Sequence, residues 1–300
     1  MTIALKIDVD TWRGTREGVP ALVETLRAHG AGATFLFSLG PDHTGRALRR
    51  AFRPGFLAKA SRTSVLEHYG LRTLLYGVLL PGPDIGRSCA AILRGVRDGG
   101  FEVGVHCWDH VRWQDGVAQH DRAWAAAEMN KARRRFIEIF DHAPLVHGAA
   151  GWQMSADAYA LEAELGFWYA SDGRGTHAYW PSIDGRRVGV PQLPTTLPTL
   201  DELLGRDGWT PDNVHHALLR ATAGPSRDIH VYTLHAELEG MKLRPVFERL
   251  LAGWREQGHA PQAMCDVMAG LDSATLPLHE IGSGTVPGRS GVLAVQGQPA

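Results

Sequence analysis

The sequence predicts an α/β fold, a distorted β/α barrel of about seven strands, and three observations carry that expectation. Apolar strand-like runs alternate with helical patterns almost from end to end. Asp8, Asp10, His106, Asp172 and His235 all fall at the C-terminal ends of such runs, where parallel barrels gather their chemistry. The chain has 300 residues, 44% of them hydrophobic, enough to bury one large core.

The elements follow in order. Ile3–Val9 reads as a strand and Val19–Ala28 as a helix closed by His29-Gly30. Ala33–Leu39 is the next strand. Ile85, Cys89, Ile92, Leu93 and Val96 form one helical stripe after Asp84, a capping residue type. Phe101–Cys107 is a strand, Asp121–Phe140 a helix, Leu145–Gly148 a short strand, Ser155–Leu165 a helix and Phe167–Ala170 a strand. Pro211–Ala223 (helix), Ile229–Leu234 (strand), Arg244–Gln257 (helix) and Ala263–Val267 (short strand) complete the alternation. Residues 181–207, rich in proline, glycine and threonine, read as a long loop with extended pieces. We expect one domain over 1–275 and a tail over 276–300, of which Val286–Gln296 folds back onto the barrel.

One insertion, 46–80, interrupts the pattern. Its cations Arg46, Arg49, Arg50, Arg53, Lys59, Arg62 and Arg72 face a single acid, Glu67, and are interleaved with Leu48, Phe52, Phe56, Leu57, Leu66, Tyr69, Leu74, Leu75 and Tyr76. Such a basic amphipathic segment is either a solvated insertion packed on the barrel or a surface for anionic lipid or a lipid-phosphate substrate; the second reading is favoured.

Net charge is −1, so the molecule as a whole has no electrostatic footprint for nucleic acid. Cys89, Cys107 and Cys265 are widely separated, odd in number and form no Cys-x-x-Cys pair, which indicates a reducing compartment. The charged first strand is no signal peptide, and Leu74–Leu80 is too short to span a bilayer. A cytosolic protein, at most attached to a membrane face, is expected.

Two clusters carry chemistry. Lys6-Ile7-Asp8-Val9-Asp10 ends a strand with two carboxylates one residue apart. His106-Cys107-Trp108-Asp109-His110 follows another strand, and its His-x-x-x-His spacing predicts both imidazoles on one side of a single helical turn, with Cys107 facing away as a buried thiol. One carboxylate and two imidazoles leave an open position for water, the pattern of a hydrolytic metal site, and the spare carboxylate is then a base beside that water. Among 15 histidines some pairs four apart arise by chance; these clusters rise above chance because each follows a strand.

Asp-x-Asp after the first strand, His-x-x-x-His after a later one, and Tyr232-Thr233-Leu234-His235 near the C-terminus together resemble the polysaccharide deacetylase family, the NodB-type carbohydrate esterases. The resemblance implies Asp8 as catalytic base. It implies Asp10, His106 and His110 as ligands of one divalent metal, zinc first, then cobalt, manganese or nickel. His235 becomes the general acid that protonates the departing amine. Four further stretches are similar to the bacterial deformylases of 4-deoxy-4-formamido-L-arabinose linked to undecaprenyl phosphate: Ile7–Pro20, Ala149–Trp152, Ser171–Gly175 and Leu234–Gly240. This implies release of formate from a lipid-linked aminosugar for lipid A modification and polymyxin resistance. It also implies a peripheral station on the cytoplasmic face of the bacterial inner membrane, and makes Arg13, Arg16, Trp152 and Glu237 candidates for substrate binding.

In the wider family an arginine within an Arg-x-Pro-Tyr-like motif orients the catalytic aspartate. His147-Gly148-Ala149-Ala150-Gly151-Trp152 has none, which leaves Arg174 as the candidate for that charge and a backbone amide near Trp152 as a candidate oxyanion donor. Asp172 is either the partner that orients His235 or a loop cap beside Gly173. The competing functions are an N-deacetylase of another amidosugar or non-sugar amide, and a non-catalytic lipid- or sugar-binding barrel.

Overall fold

The computed structural model describes residues 1–47, 71–224 and 229–300. Its centre is a six-stranded parallel sheet in the order β5-β4-β3-β2-β1-β8. The strands are β1 (Thr2–Val9), β2 (Thr34–Ser38), β3 (Glu102–Cys107), β4 (Val146–His147), β5 (Tyr169–Ala170) and β8 (Ile229–His235). Between β5 and β8 the ring continues through residues 191–197. Leu193 N–H donates to Ala170 O on one side (2.8 Å), and Leu197 N–H to Val231 O on the other (3.2 Å). Six regular strands and one irregular run make the distorted barrel that the alternation predicts.

The pleat decides what each strand contributes. Side chains alternate between faces with period two. In β1, Ile3, Leu5, Ile7 and Val9 join the outer apolar core, with Leu22 and Leu26 of the helix Val19–His29 and Phe247, Leu250 and Trp254 of the helix Arg244–Glu256. Ala4, Lys6 and Asp8 therefore face inward, and Asp10 continues that row past the strand end. Deep in the barrel Ala4 meets Leu36, Val146, Tyr169, Val231, Met264 and Met268, an apolar plug that leaves the polar groups at the C-terminal mouth. Side-chain caps start the surrounding helices, as at Asp84, Asp109, Asp121 and Ser155, each accepting the backbone N–H three residues on.

Three expectations change. Of the strand expected over 263–267, residues 264–267 are helical, within Met264–Ala269: Thr34 Oγ1 and Glu102 Oε2 accept the N–H groups of Met264 and Cys265, capping a helix start that no local residue caps. Only Gln262 makes a strand-like bridge, to Ala4. The helix expected over 211–223 is confined to His215–Ala221. His106 and His110 do not share a helical turn, since His106 belongs to β3 and His110 opens the helix His110–Gly116.

A second sheet, β10-β9-β6-β7, is built from β6 (Trp180–Ile183), β7 (Arg186–Arg187), β9 (Leu278–Gly284) and β10 (Leu293–Pro299). The C-terminal residues thus form a hairpin that returns to the barrel, where Arg174 N–H donates to Ala294 O (2.9 Å) and Gln296 N–H to Arg174 O (2.8 Å). Most of the basic insertion, including Arg49, Arg50, Arg53, Lys59, Arg62, Phe52 and Phe56, lies outside the described residues. At its described end Tyr76 is buried edge-on to Trp12, while Val78, Leu79 and Leu80 are 54%, 75% and 38% exposed. No helix among the described residues is long and apolar enough to cross a membrane.

Candidate active site

Adjacent strand ends bring the predicted residues to one mouth. Asp8 and His235 are register partners across β1 and β8, and Val105, just before His106, pairs with His147 of β4. Asp10, His106 and His110 converge: His106 Nε2 lies 3.2 Å from Asp10 Oδ1, and His110 Nε2 3.5 Å from Asp10 Oδ2. His106 Nδ1 stands 2.6 Å from Gly148 O. A carbonyl can only accept, so Nδ1 carries a proton, which leaves Nε2, beside Asp10, as the nitrogen that can give up its proton and ligate a cation. Burial would raise the Asp10 carboxyl, but His110 and His106, with His235 behind them, outweigh it and hold it well below the usual range. Burial likewise opposes charge on His106, and Asp8 and Asp10 outweigh it, so its imidazole titrates above an ordinary histidine.

Asp8 is buried one strand pleat deeper. Its Oδ2 lies 3.5 Å from Lys6 Nζ, and its Oδ1 is a buried oxygen without a hydrogen-bond partner among the described residues. His235 stands across from it, edge-on to Trp152, with Nδ1 also unpartnered. Its backbone is fixed by Glu239, whose Oε2 accepts His235 N–H (2.9 Å) and whose Oε1 accepts the Tyr232 hydroxyl (2.8 Å). Glu239 lies inside a motif singled out in the sequence, yet nothing there distinguishes it from Glu237.

The loop after β4 forms the other wall. Gly151 and Trp152 take successive left-handed conformations (φ 62° and 51°), costly for a tryptophan and held here by packing on every side. The buried indole donates to Thr195 Oγ1 (3.2 Å) and has Lys6, Arg174 and Arg289 about its ring at 5.4, 5.2 and 4.6 Å. The Trp152 amide donates to Ala149 O (3.1 Å), so this amide is committed within the loop.

Asp172 and Arg174 are placed differently from the sequence expectation. Asp172 partners His147 (2.8 Å) rather than His235, and it also accepts from Ala149 N–H (2.8 Å) and Gln192 Nε2 (2.9 Å). Glu162 completes this buried cluster at 3.0 Å from His147 Nδ1. Burial and the neighbouring Asp172 push Glu162 well up, whereas His147 outweighs burial at Asp172 and brings it down. The set His147, Glu162 and Asp172 has the residue types of a cation site, but its hydrogen bonds already account for its atoms, and its place behind Gly148 and Ala149 makes it the brace of the loop. Arg174 is paired with Glu202 (2.5 Å) and Leu197 O (3.0 Å), away from Asp8, because Glu202 offers a buried carboxylate directly beneath it.

Arg13 pairs with Glu17 (3.0 Å), and the exposed Arg16 lies over the Trp12 ring (4.5 Å), both just beyond Asp10. Glu237 is buried beneath that loop, with Oε1 accepting from Asp10 N–H (3.1 Å), Thr11 N–H (2.8 Å) and the Thr11 hydroxyl (2.8 Å). Burial and the Asp10 charge push its carboxyl up to about 8. Gly14 is required there, since a Cβ would stand 2.0 Å from Glu237 Oε1. Asp42, accepting from Trp12 N–H, and His43, 2.6 Å from Asp109, tie the mouth together and carried no sequence signal of their own.

The trio's donor atoms all lie within 4.8 Å of one another, and Asp10 Oδ1 and His106 Nε2 are buried without an aligned hydrogen bond. Two imidazoles and a carboxylate held open in this way suit a divalent cation with water as a further ligand.

No protein-family model matches the chain. It is 35% identical over 294 residues to the probable 4-deoxy-4-formamido-L-arabinose-phosphoundecaprenol deformylase ArnD of Shewanella sediminis (strain HAW-EB3), covering 98% of this chain and 94% of that one. It is 30% identical to the protein of the same name from Wigglesworthia glossinidia brevipalpis, covering 94% of this chain and 98% of that one. Among solved structures it is similar to a putative polysaccharide deacetylase from Mycobacterium smegmatis, with TM-score 0.65 and 16% identity over 95% of this chain and 94% of that one, a likeness of fold.

Proposed function

This chain belongs to the 4-deoxy-4-formamido-L-arabinose-phosphoundecaprenol deformylase family, and from that premise we propose how its residues divide the work. It is a hydrolase of amide C–N bonds that removes formate from the lipid-linked formamido sugar and leaves the free aminosugar lipid, which then serves lipid A modification. The observation that carries the division of labour is the convergence of Asp8, Asp10, His106, His110 and His235 on one mouth.

Asp10, His106 and His110 would hold a single divalent ion, for which zinc suits the donor set best. Such an ion lowers the pKa of a water molecule and polarises the formyl carbonyl. Asp8 Oδ1, the open buried oxygen, takes the proton that the attacking water loses as the C–O bond forms. His235 delivers a proton to the nitrogen as the C–N bond breaks, so that formate and an amine leave. Gly148 O keeps His106 in the tautomer that turns Nε2 toward Asp10, and Glu239 keeps His235 at the mouth. Trp152 walls the site from water, and Arg16 offers an exposed cation for the substrate phosphate.

The exposed run Val78–Leu80, with the cations of the insertion, supports peripheral attachment to anionic lipid at the cytoplasmic membrane face, where the undecaprenyl chain resides. The substrate class is tested by offering zinc-loaded protein the formamido-arabinose lipid, its acetamido counterpart and a formamide without sugar. Turnover confined to the first supports the deformylase reading; preference for the acetamido lipid establishes a deacetylase instead.

A further inference from the structure

Lys6 is fully buried in the inward row of β1, between Ala4 and Asp8. An ammonium removed from water demands partners. Those it has are specific: Nζ donates to Ser171 O (2.8 Å), lies 3.5 Å from Asp8 Oδ2, and stands 5.4 Å from the Trp152 ring centroid. Room for it depends on Gly148, where a Cβ would come within 3.1 Å of Lys6 Cε. The other cations around Trp152 are engaged elsewhere, Arg174 with Glu202 and Arg289 with Glu202 and Asp201.

Resting on the assignment of Asp8 as the base, we propose that Lys6 is the positioning residue of that base. Its ammonium fixes Asp8 Oδ2, so that Oδ1 alone is turned to the attacking water. Ser171 O and the Trp152 face hold the ammonium in turn, and a shift of the 171–174 segment is thereby transmitted to Asp8. A carboxylate free to rotate about its Cβ–Cγ bond would present either oxygen, and misplacement by about 1 Å can cost on the order of a hundredfold in rate.

The test compares zinc-loaded full-length wild type, Lys6→Met, Lys6→Arg, Asp8→Asn and the Lys6→Met/Asp8→Asn double variant, by formate release and by crystal structure. Lys6→Met should lower kcat about 10–100-fold with KM and zinc content near wild type, and Lys6→Arg should recover most of that loss. The double variant should be no slower than Asp8→Asn. The Lys6→Met structure should show the Asp8 carboxylate turned from its wild-type position. Full kcat in Lys6→Met, an equal loss on the Asp8→Asn background, or an unmoved Asp8 would overturn the proposal. A wild type that releases no formate strikes the functional reading instead, and the position of Asp8 in the Lys6→Met crystal still decides the role of Lys6.

Discussion

His106 Nδ1 lies 2.6 Å from Gly148 O, and this bond helps join the strand that carries His106 to the loop that walls the site. A Cβ at Gly148 would fall 2.3 Å from Leu36 Cδ1 and 3.1 Å from Lys6 Cε, both buried, so the loop must retreat to admit it. Gly148→Ala should weaken zinc affinity and turnover together, by about 10–100-fold, the scale for groups that orient a ligand. Titration with a zinc indicator and formate release would read both; unchanged affinity would show that the carbonyl has no part in orienting His106.

Removal of a ligand is more severe. His106→Ala should abolish tight binding of the ion and turnover in step, and chelation should do the same to wild type reversibly, with zinc restoring activity. Metal analysis beside the assay checks this, and activity that survives complete chelation would end the metal hypothesis.

Glu237 gives the metal-free protein a pH dependence. A glutamate in the unfolded chain ionises near 4.5, whereas in the folded protein this one keeps its proton up to about 8. The folded state therefore binds the extra proton in that window. The stability so contributed is complete below the lower value and falls as pH rises through the upper one, by up to about 1.4 kcal/mol per pH unit. Glu237→Gln, which keeps the acceptor for Thr11 and cannot ionise, should flatten the slope. Urea unfolding of chelated protein from about pH 5 to pH 8 measures it, and equal slopes in the two proteins would assign the proton elsewhere.

Much of this site is legible in the sequence, because strand ends and titratable residues coincide at Asp8, Asp10, His106 and His235. The period-two row Lys6, Asp8, Asp10 also points Lys6 inward, although a lysine beside a strand carboxylate reads first as a surface charge. Other features are set by long-range partners that local pattern cannot show. Met264–Ala269 is capped from Thr34 and Glu102, Arg174 finds Glu202, and Asp172 finds His147. The His-x-x-x-His spacing brings His106 and His110 together, but not through the shared helical turn it suggested, since the chain passes from strand to helix between them.

Membrane attachment should be peripheral and reversible. Each cation near an anionic surface contributes about 1 kcal/mol, so binding to phosphatidylglycerol vesicles should weaken as salt rises. Leu79→Asp, at the most exposed apolar position of the described insertion, and charge reversal at Arg49, Arg50 and Arg53 should each reduce vesicle binding and turnover of the lipid-linked sugar. Both should spare a short-chain soluble analogue. Wild type that ignores anionic vesicles at low salt would leave the insertion as packing alone.

The most direct test of the site is zinc content and formate release measured on one preparation of Asp8→Asn. With Asp10, His106 and His110 as the ligands and Asp8 as the base, the variant should carry zinc as wild type does while turnover falls by about 10²–10⁴-fold, the range for loss of general base catalysis. If Asp8→Asn loses its zinc, Asp8 is a ligand; if it keeps both zinc and activity, the proton goes elsewhere. Either result would contradict the division of labour proposed for the two aspartates.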